Sequence, residues 1–405
     1  LFPRAQDMLS AQLSERSLRL VRRALKEWVG KENEVYKALS DVIRVMCRLN
    51  RELDAPECQL APYGALHDAV AKFVAAGEGH ISENEMLAEA LFAAMDYLRV
   101  EQEFDDERMR VLYVTGKHLT VKLWRYLPTD EISAVLHRAR GGVLFSATLS
   151  PMEHYAQLLG LNERGGDALV DLPSPFPPEN FLPIALNLPT RYSARGETAA
   201  RVAQAIYQMA RAHTGNYIAC FPSYAYLEMV REIFAATYPQ VRVIVQRGEM
   251  AEEERDAFLA QFSCAPRASM VAFIVMGGVF AEGVDLPGER LSGAAIVGVG
   301  MPQLSFERDT FASLVEDGEG GGFEMAYVYP GIIRVLQAAG RVIRSETDKG
   351  VALLIDERFC EERFARLLPR HYRVRRADSL SQVGALLSAF WAQPAQQPPQ
   401  EERGQ

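Results

Sequence analysis

A glutamine and two arginines near the end of the sequence have types and spacing that suit phosphate chemistry: Gln337, Arg341 and Arg344. If this segment is helical, positions i, i+4 and i+7 project from one face. Guanidinium groups bind phosphate oxygens in a fixed fork geometry and do not lose their charge. Such a pair can neutralise charge on a phosphoryl group during transfer. In the alternative interpretation, the arginines are solvated or paired with Glu346 and Asp348.

A segment rich in glycine and carboxylates, running from Gly277 to Asp285, directly follows the apolar run Met270–Met276. Ligands of open α/β sheets bind at this carboxyl edge of the strands. Glycine permits close approaches of the backbone that other residues prevent. Glu282 and Asp285 can accept hydrogen bonds from a ribose or from arginines across a cleft. The simpler interpretation is a tight turn between a strand and a helix.

Small or polar residues also end three other apolar runs. They are Gly142–Ser146 with Thr148, then Phe221-Pro-Ser223-Tyr224, and finally Asp356-Glu-Arg358. For the first of these, the simpler interpretation is a helix-capping cluster before a helix over 152–159.

Short β-branched runs alternate with helical stretches after about residue 110, which predicts an α/β fold with a parallel sheet covered on both faces. The predicted strands are Arg110–Thr115, Gly142–Ser146, Tyr217–Phe221, Val241–Gln246, Met270–Met276, Ala294–Val299 and Val351–Ile355. The predicted helices are Glu197–His213, Tyr224–Tyr238, Ala251–Phe262, Ile332–Ser345 and part of Phe306–Val315.

The segment before residue 110 is predicted to be mainly helical. Apolar residues recur at helical intervals from Gln12 to Arg48, with a break near Gly30. Ser82 and Glu85 form a capping-box pattern that opens a helix through Leu98. A proline-rich stretch over 173–178 is typical of a stiff linker, and the last residues, 392–405, have a disordered composition.

The composition is that of an acidic globular protein. The chain has 405 residues, a formal net charge of −9 and 48% hydrophobic residues. This charge excludes an overall basic coat but permits a local basic groove. Five scattered cysteines, without a C-x-x-C pair, form neither a disulfide framework nor a zinc site, and we expect a reducing, cytoplasmic compartment. Because the sequence starts at Leu1 without a methionine, we expect it to be a fragment.

The order of these motifs resembles the C-terminal half of the XPD/DinG family of superfamily 2 helicases. Ser146-Ala-Thr-Leu-Ser-Pro151 is similar to motif III and Phe221-Pro-Ser-Tyr224 to motif IV. Gly278–Asp285 is similar to motif V and Gln337–Arg344 to motif VI. The resemblance implies two RecA-like lobes with ATP and Mg²⁺ between them, and a helical arch inserted in the first lobe after its D-E-A-H box.

The departures from this pattern concern the first lobe. The sequence contains no G-x-x-x-x-G-K-[ST] loop and no D-E-A-H box, so the phosphate cradle and the Mg²⁺-binding carboxylate are missing. Its cysteines do not match the four that hold an iron–sulfur cluster in many members. The resemblance therefore implies that any such cluster lies upstream, and that this polypeptide alone does not hydrolyse ATP.

The resemblance also assigns roles to individual residues. Arg341, Arg344 and Gln337 would act on the γ-phosphate. The residues expected to bind nucleotide or transmit its state are Gly278, Glu282, Gly283, Asp285 and Gly340. Those expected to couple the lobes or contact DNA are Ser146, Thr148, Ser223, Tyr224, Arg247, Arg358 and Arg373, the last within the basic run Arg366–Arg376. Solvated basic residues are the alternative for that run.

These inferences predict five segments. They are a helical arch-like domain over 1–109, the tail of the first lobe over 110–172, a linker over 173–179, the second RecA-like lobe over 180–391 and a tail over 392–405. The predicted function is the C-terminal part of a monomeric ATP-dependent DNA helicase of repair type that moves 5′ to 3′ on single-stranded or forked DNA. The alternatives are a non-catalytic nucleic-acid-binding or regulatory module and a related motor acting on RNA.

Overall fold

The computed structural model describes residues 1–146, 149–162, 165–278, 280, 286, 288–315 and 321–396. The strands are β1 Ala11–Ser14, β2 Glu57–Gln59, β3 Arg110–Val114, β4 Thr120–Trp124, β5 Phe181–Leu186, β6 Asn216–Phe221, β7 Arg242–Val245, β8 Met270–Val275, β9 Gly293–Val297, β10 Gly350–Ile355 and β11 Arg375–Ala377. The helices are α1 Phe2–Met8, α2 Glu15–Trp28, α3 Glu34–Glu52, α4 Gly64–Gly77, α5 Glu85–Gln102, α6 Thr129–Arg138, α7 Met152–Leu159, α8 Arg195–Ala212, α9 Tyr224–Thr237, α10 Glu252–Leu259, α11 Phe306–Leu314, α12 Tyr329–Ala339, α13 Glu362–Ala365 and α14 Leu380–Trp391.

The chain divides into two compact units. Unit 1 comprises Leu1–Leu144, Glu153–Leu169 and Leu304–Asp317. Unit 2 comprises Phe145–Met152, Val170–Gln303 and Gly318–Gln405.

Unit 2 is built on a seven-stranded parallel sheet with the order β11-β5-β10-β9-β6-β8-β7. Successive residues of β6, an interior strand, enter different cores: Ile218 packs in the layer with α10, α12 and α13, whereas Tyr217 and Ala219 pack in the layer with α8, α9 and α14. A strand buried on both faces needs apolar residues at every position. For this reason the apolar runs predicted β6, β8, β9 and β10 to within two residues at either end, and the α/β fold class is confirmed.

Unit 1 combines helices α2 to α5 with a four-stranded antiparallel sheet of order β1-β4-β3-β2. The sequence predicted α2, α3, α5 and β3, but it did not single out α4 and it missed β1, β2 and β4. Because β3 and β4 pair with each other and with strands from the first 60 residues, no boundary between compact units falls at residue 109.

Helix α11 also departs from the predicted division, because it belongs to unit 1 although it lies between β9 and α12 in sequence. The ammonium of Lys122 on β4 lies 2.7 Å from the carboxylate of Glu307. The ring of Trp124 packs 6.3 Å from that of Phe311. An ion pair and an aromatic contact therefore hold this helix on the antiparallel sheet.

A buried carboxylate joins α2 to the rest of unit 1. Glu15 is 2% exposed and accepts hydrogen bonds from the backbone N–H of Leu119 at 3.0 Å and from Nε of Arg19 at 2.7 Å. The thiol of Cys47 on α3 also donates to Glu15 at 3.2 Å. Burial raises the pKa of Glu15, but these hydrogen bonds outweigh burial and bring the pKa below its ordinary value.

Three local predictions are wrong. Residues 142–146 form no strand, and Val143 and Phe145 are 85% and 88% exposed, because no neighbouring strand among the described residues pairs with them. Helix α5 is capped by the side chain of Asn84, which accepts from Leu87 N–H, and not by Ser82.

The third correction concerns the helix predicted over 332–345, which ends at Ala339 with Gly340 as its cap. Val342 and Ile343 are then buried in the core. The carboxylate of Asp348 accepts hydrogen bonds from the backbone N–H groups of Arg344 and Ser345, at 2.7 and 2.8 Å. These contacts give the segment an irregular path in which Arg341 and Arg344 are not on the helix.

The predicted linker lies in irregular structure before β5, and most of the predicted tail, 397–405, lies outside the described residues. Among the residues that the structure describes, no helix is long and apolar enough to cross a membrane.

Candidate functional site

The carboxyl edge of the parallel sheet brings together residues that are far apart in the sequence. Because β6, β8 and β7 are neighbours in that order, the segments that follow them lie side by side. These segments carry Ser223 and Tyr224 after β6, Gly278 after β8, and Arg247 after β7.

Gln246, which directly follows β7, lies between Tyr224 and Gly278 and precedes Arg247 in the sequence. Its amide nitrogen lies 3.2 Å from the hydroxyl of Tyr224, and that hydroxyl donates to the carbonyl of Arg247 at 3.4 Å. Its amide oxygen accepts from the N–H of Val275 at 2.9 Å. Sequence analysis did not single out Gln246, although a polar residue at the end of an apolar strand is the signal that identified the others.

The two exposed members of this group can contact a ligand in solvent. The Tyr224 ring is 42% exposed. The Arg247 side chain is 78% exposed and its guanidinium lies 3.9 Å from the carboxylate of Glu254. Ser223 has a structural role, since its hydroxyl accepts from the N–H of Tyr226 at 3.4 Å and caps α9.

Gly278 packs against Gln246, so a side chain at position 278 would displace the end of the Gln246 side chain. A Cβ atom at position 278 would lie 2.9 Å from the Gln246 amide nitrogen and 3.2 Å from the Val275 carbonyl oxygen. We expect Gly278→Ala to lower the free energy of unfolding of unit 2 by about 1–3 kcal/mol, because it displaces Gln246. Thermal denaturation measures this. Gly196→Ala is the control, since a Cβ there has nothing within 4 Å, and an equal loss in both variants would contradict the prediction.

Arg334, another residue that sequence analysis missed, lies on α12 at the ends of β8 and β9. A Cβ atom at Gly277, whose φ is +75°, would lie 3.4 Å from Nε of Arg334. The Arg334 guanidinium donates to the carbonyl of Gly300 at 3.3 Å. Arg334 precedes the half-buried Gln337 by three residues and therefore lies on the same side of α12. The three-residue spacing between Arg334 and Gln337 is the sequence pattern that could have identified Arg334.

Arg341 is buried within unit 2. It is 8% exposed and lines a small cavity of about 10 Å³ whose other walls include Ile218, Phe258 and Leu291. Burial raises the pKa of the neighbouring Cys220 thiol to about 12, and the positive charge of Arg341 opposes this rise. In this structure the Arg341 side chain packs against its own lobe.

Arg344, in contrast, is exposed. Asp348, which the alternative interpretation paired with the arginines, uses its side chain to hold the backbone of this loop. Gly340 ends α12 between Gln337 and the two arginines. Of the two predicted arginines, Arg344 is the one whose side chain faces solvent.

Asp356, which directly follows β10, is buried and forms hydrogen bonds with Arg358 and Thr190. It is 0% exposed and accepts hydrogen bonds from Nε and Nη2 of Arg358 at 2.7 and 2.8 Å, and from the hydroxyl of Thr190. Arg358 is thereby engaged in a bidentate pair within its own lobe, and a contact with DNA stays a prediction.

Next to this group, an exposed tyrosine lies over an arginine. The Arg195 guanidinium is 4.6 Å from the ring centre of Tyr226 and 5.4 Å from that of Tyr192. Tyr192 is 86% exposed, which presents one ring face for stacking. Sequence analysis missed this pair, because an isolated aromatic residue in a loop carries no pattern.

The remaining predicted residues are placed elsewhere or are not described. Arg373 has a left-handed backbone, with φ of 47°, and its guanidinium pairs with Glu179 at 2.9 Å. Ser146 lies in the irregular segment before α7. Thr148, Glu282, Gly283 and Asp285 lie outside the described residues. Among the described residues, no three His, Cys, Asp or Glu side chains are grouped so that they could hold a metal ion.

Part of the chain is similar to a known protein family. Residues 206–375 match the family model described as "Helicase C-terminal domain". The chain is 28% identical over 253 residues to the ATP-dependent DNA helicase YoaA of Escherichia coli, which covers 60% of this chain and 37% of the relative. It is 23% identical over 241 residues to the ATP-dependent DNA helicase DinG of Photobacterium profundum, which covers 57% and 34%.

The fold is similar to that of a solved structure of Xpd4 from S. tokodaii, with a TM-score of 0.59 and 14% identity. That similarity covers 91% of this chain and 72% of Xpd4. The matched region spans only about a third of the length of the two helicases compared by sequence. The family model and the parallel sheet agree for unit 2: residues 206–375 match a helicase C-terminal domain, and the chain is similar to helicases of the XPD/DinG type.

Proposed function

We propose that this chain supplies the second motor lobe and a helical arch-like region of an ATP-dependent DNA helicase of the repair type. Unit 2 would bind ATP and Mg²⁺ together with a first lobe that carries the phosphate loop and the Mg²⁺-binding carboxylate. ATP would close the two lobes and hydrolysis would open them, which drives the motor through contacts that differ between the two states. Movement from 5′ to 3′ on single-stranded DNA follows from the family resemblance.

The observation that carries this proposal is the arrangement at the carboxyl edge of the unit 2 sheet. Tyr224, Gln246 and Gly278 lie in contact there, and exposed Arg247 continues their surface. A basic side chain next to an exposed ring suits a single strand, since the cation attracts the backbone and the ring stacks on a base. The names of the bacterial relatives, both DNA helicases, favour DNA over RNA.

In this function, Arg344 would contact the γ-phosphate, and Gln337 with Gly340 would position the loop that carries Arg341 and Arg344. Gly278 and the undescribed Glu282, Gly283 and Asp285 would report the nucleotide state to the DNA-facing surface. Ser146 and Thr148 would couple the lobes, and the exposed apolar residues of 142–146 are suited to pair with a strand of the first lobe.

The buried position of Arg341 favours the second candidate, a non-catalytic nucleic-acid-binding or regulatory module. An arginine that is 8% exposed within its own lobe can reach a phosphate across a cleft only if its side chain moves. The same lobe is therefore compatible with a role in which Arg341 stabilises the fold.

Two substitutions at Arg341 distinguish these functions in a protein that includes the first lobe. Arg341→Met retains an apolar chain in the cavity, whereas Arg341→Ala empties it. A catalytic Arg341 predicts that both variants lose DNA-stimulated ATP hydrolysis, by about a thousandfold in kcat. A purely structural Arg341 predicts that only the alanine variant is impaired and that its transition temperature falls. Near-normal turnover of the methionine variant would overturn the catalytic assignment.

A further inference from the structure

Helix α2 of unit 1 has a strongly cationic face. At about 100° per residue its Lys and Arg side chains occupy an arc of about 120°. Its buried apolar side chains, among them Leu18 and Leu25, lie on a different face of the helix. The cationic residues are Arg16, Arg19, Arg22, Arg23 and Lys26.

Among the described residues, only one of these five cations has an acidic partner within 4 Å. Arg19 pairs with Glu15 at 2.7 Å. Within the part of the chain that the structure describes, no carboxylate lies within 4 Å of Arg16, Arg22, Arg23 or Lys26. Glu27 lies one turn from Arg23 in the sequence of α2, yet these two described side chains form no ion pair within 4 Å.

Helix α3 extends this cationic face. The Arg19 guanidinium donates to the sulfur of Cys47 on α3 at 2.9 Å, which fixes the side on which the helices meet. Arg44 and Arg51 lie three and four residues from Cys47, Arg48 follows it directly, and all three arginines are exposed. Arg44 pairs with Asp41 at 2.8 Å. We name Arg16, Arg22, Arg23, Lys26 and Arg48 the α2–α3 basic face.

The charge of this region is opposite to that of the whole chain. The segment Glu15–Glu52 contains ten Lys and Arg against six Asp and Glu, whereas the whole chain contains 44 against 53. An acidic protein with a local cationic surface attracts polyanions to that surface and repels them elsewhere. The surface therefore selects a partner with closely spaced negative charges.

We propose that the α2–α3 basic face binds the phosphate backbone of a DNA strand, as a contact additional to those at the sheet edge of unit 2. Arginine predominates on this face, and its planar fork matches phosphate oxygens. From Arg16 to Lys26 the face is about 15 Å long at 1.5 Å per residue, which equals about four phosphates at the axial spacing of about 3.4 Å within one strand of B-form DNA. The choice of DNA over other polyanions rests on the proposed function.

The test is the salt dependence of binding between this polypeptide and a labelled single-stranded oligonucleotide. In the variant Arg16→Ala/Arg22→Ala/Arg23→Ala/Lys26→Ala, we expect an affinity about tenfold lower, or lower still, at 50 mM salt. The slope of log K against log salt should become shallower by about 3, since each lost phosphate contact contributes about 0.7. A slope equal to that of the unaltered chain would overturn the proposal.

A matched variant removes four exposed arginines of unit 2 and changes the net charge equally. Its changes are Arg201→Ala, Arg211→Ala, Arg242→Ala and Arg267→Ala, and we expect nearly unchanged affinity and slope. Equal losses in both variants would show that net charge alone matters and would contradict the proposal. The charge-retaining variant Arg16→Lys/Arg22→Lys/Arg23→Lys should keep most of the slope of log K against log salt. This result would show that the alanine variant loses affinity because it loses charge and not because it misfolds.

Polyglutamate serves as the competing polyanion. If it displaces the oligonucleotide at equal charge concentration, the face binds any polyanion and the assignment to nucleic acid fails. Loss of binding only at this face would leave the ATPase-based proposal for unit 2 intact. Loss of ATP hydrolysis in an Arg344→Ala variant would not affect this face, so the two proposals can fail independently.

Discussion

Replacing Arg344 by alanine in a protein that includes the first lobe is expected to lower kcat for DNA-stimulated ATP hydrolysis by about a thousandfold or more. Arg344 is exposed, and Asp348 fixes the path of its loop through hydrogen bonds to the N–H groups of Arg344 and Ser345. A guanidinium on a fixed loop can meet a developing charge at little cost in reorganisation. Steady-state hydrolysis with saturating single-stranded DNA measures the effect.

Because the interaction would strengthen in the transition state, kcat should fall much more than KM changes. Arg344→Lys should recover only part of the rate, since an ammonium keeps the charge but loses the fork geometry. Arg201→Ala, an exposed arginine on α8, is the control and should retain full turnover. A turnover within threefold of normal in Arg344→Ala, with an unchanged thermal transition, would contradict the assignment.

The loop that carries Arg344 also illustrates what the sequence could not predict. Helical spacing of Gln337, Arg341 and Arg344 suggested one continuous helix, but Gly340 lies within it. Glycine at this position favours a helix end. The path of the loop depends on the burial of Val342 and Ile343 and on the hydrogen bonds of Asp348. These are tertiary interactions, which the spacing of residues in the sequence does not predict.

Tertiary contacts also decided which strands the sequence could predict. Strands β8 and β10 are buried on both faces, so their apolar runs identified them. β5 contains Pro183 and was missed, although it lies between β10 and β11. Residues 142–146 have the composition of a strand but no partner among the described residues. A strand needs a hydrogen-bonded neighbour, and that requirement is invisible in a single segment.

For the candidate site, the sequence predicted which residues end strands but not which of them meet. The contact of Tyr224 with Gln246, and of Gln246 with Gly278, depends on β8 lying between β6 and β7. Strand order is a property of the whole sheet. Arg334 and Gln246 were therefore missed, although each lies within a few residues of a predicted one.

Removal of the buried carboxylate at the end of β10 should have the largest effect on stability. Asp356 and Arg358 are 0% and 13% exposed in their side chains, and Asp356→Ala would leave the guanidinium and the Thr190 hydroxyl without this acceptor. Loss of one partner of a buried pair costs about 3–5 kcal/mol. For a unit of this size we expect the transition of unit 2 to fall by about 10 °C, measured by calorimetry.

Asp378→Ala is a matched control, because Arg376 and Asp378 form an ion pair with the same sequence spacing but on the surface, with side chains 58% and 54% exposed. Solvent screens such a pair, so its loss should leave the transition nearly unchanged. Arg358→Ala completes the comparison. If Arg358 serves the fold, this variant destabilises unit 2 while the double variant Asp356→Ala/Arg358→Ala is less affected than the sum of the two. If Arg358 instead contacts DNA, its removal weakens DNA binding without lowering the transition, and the assignment of this pair to stability would be wrong.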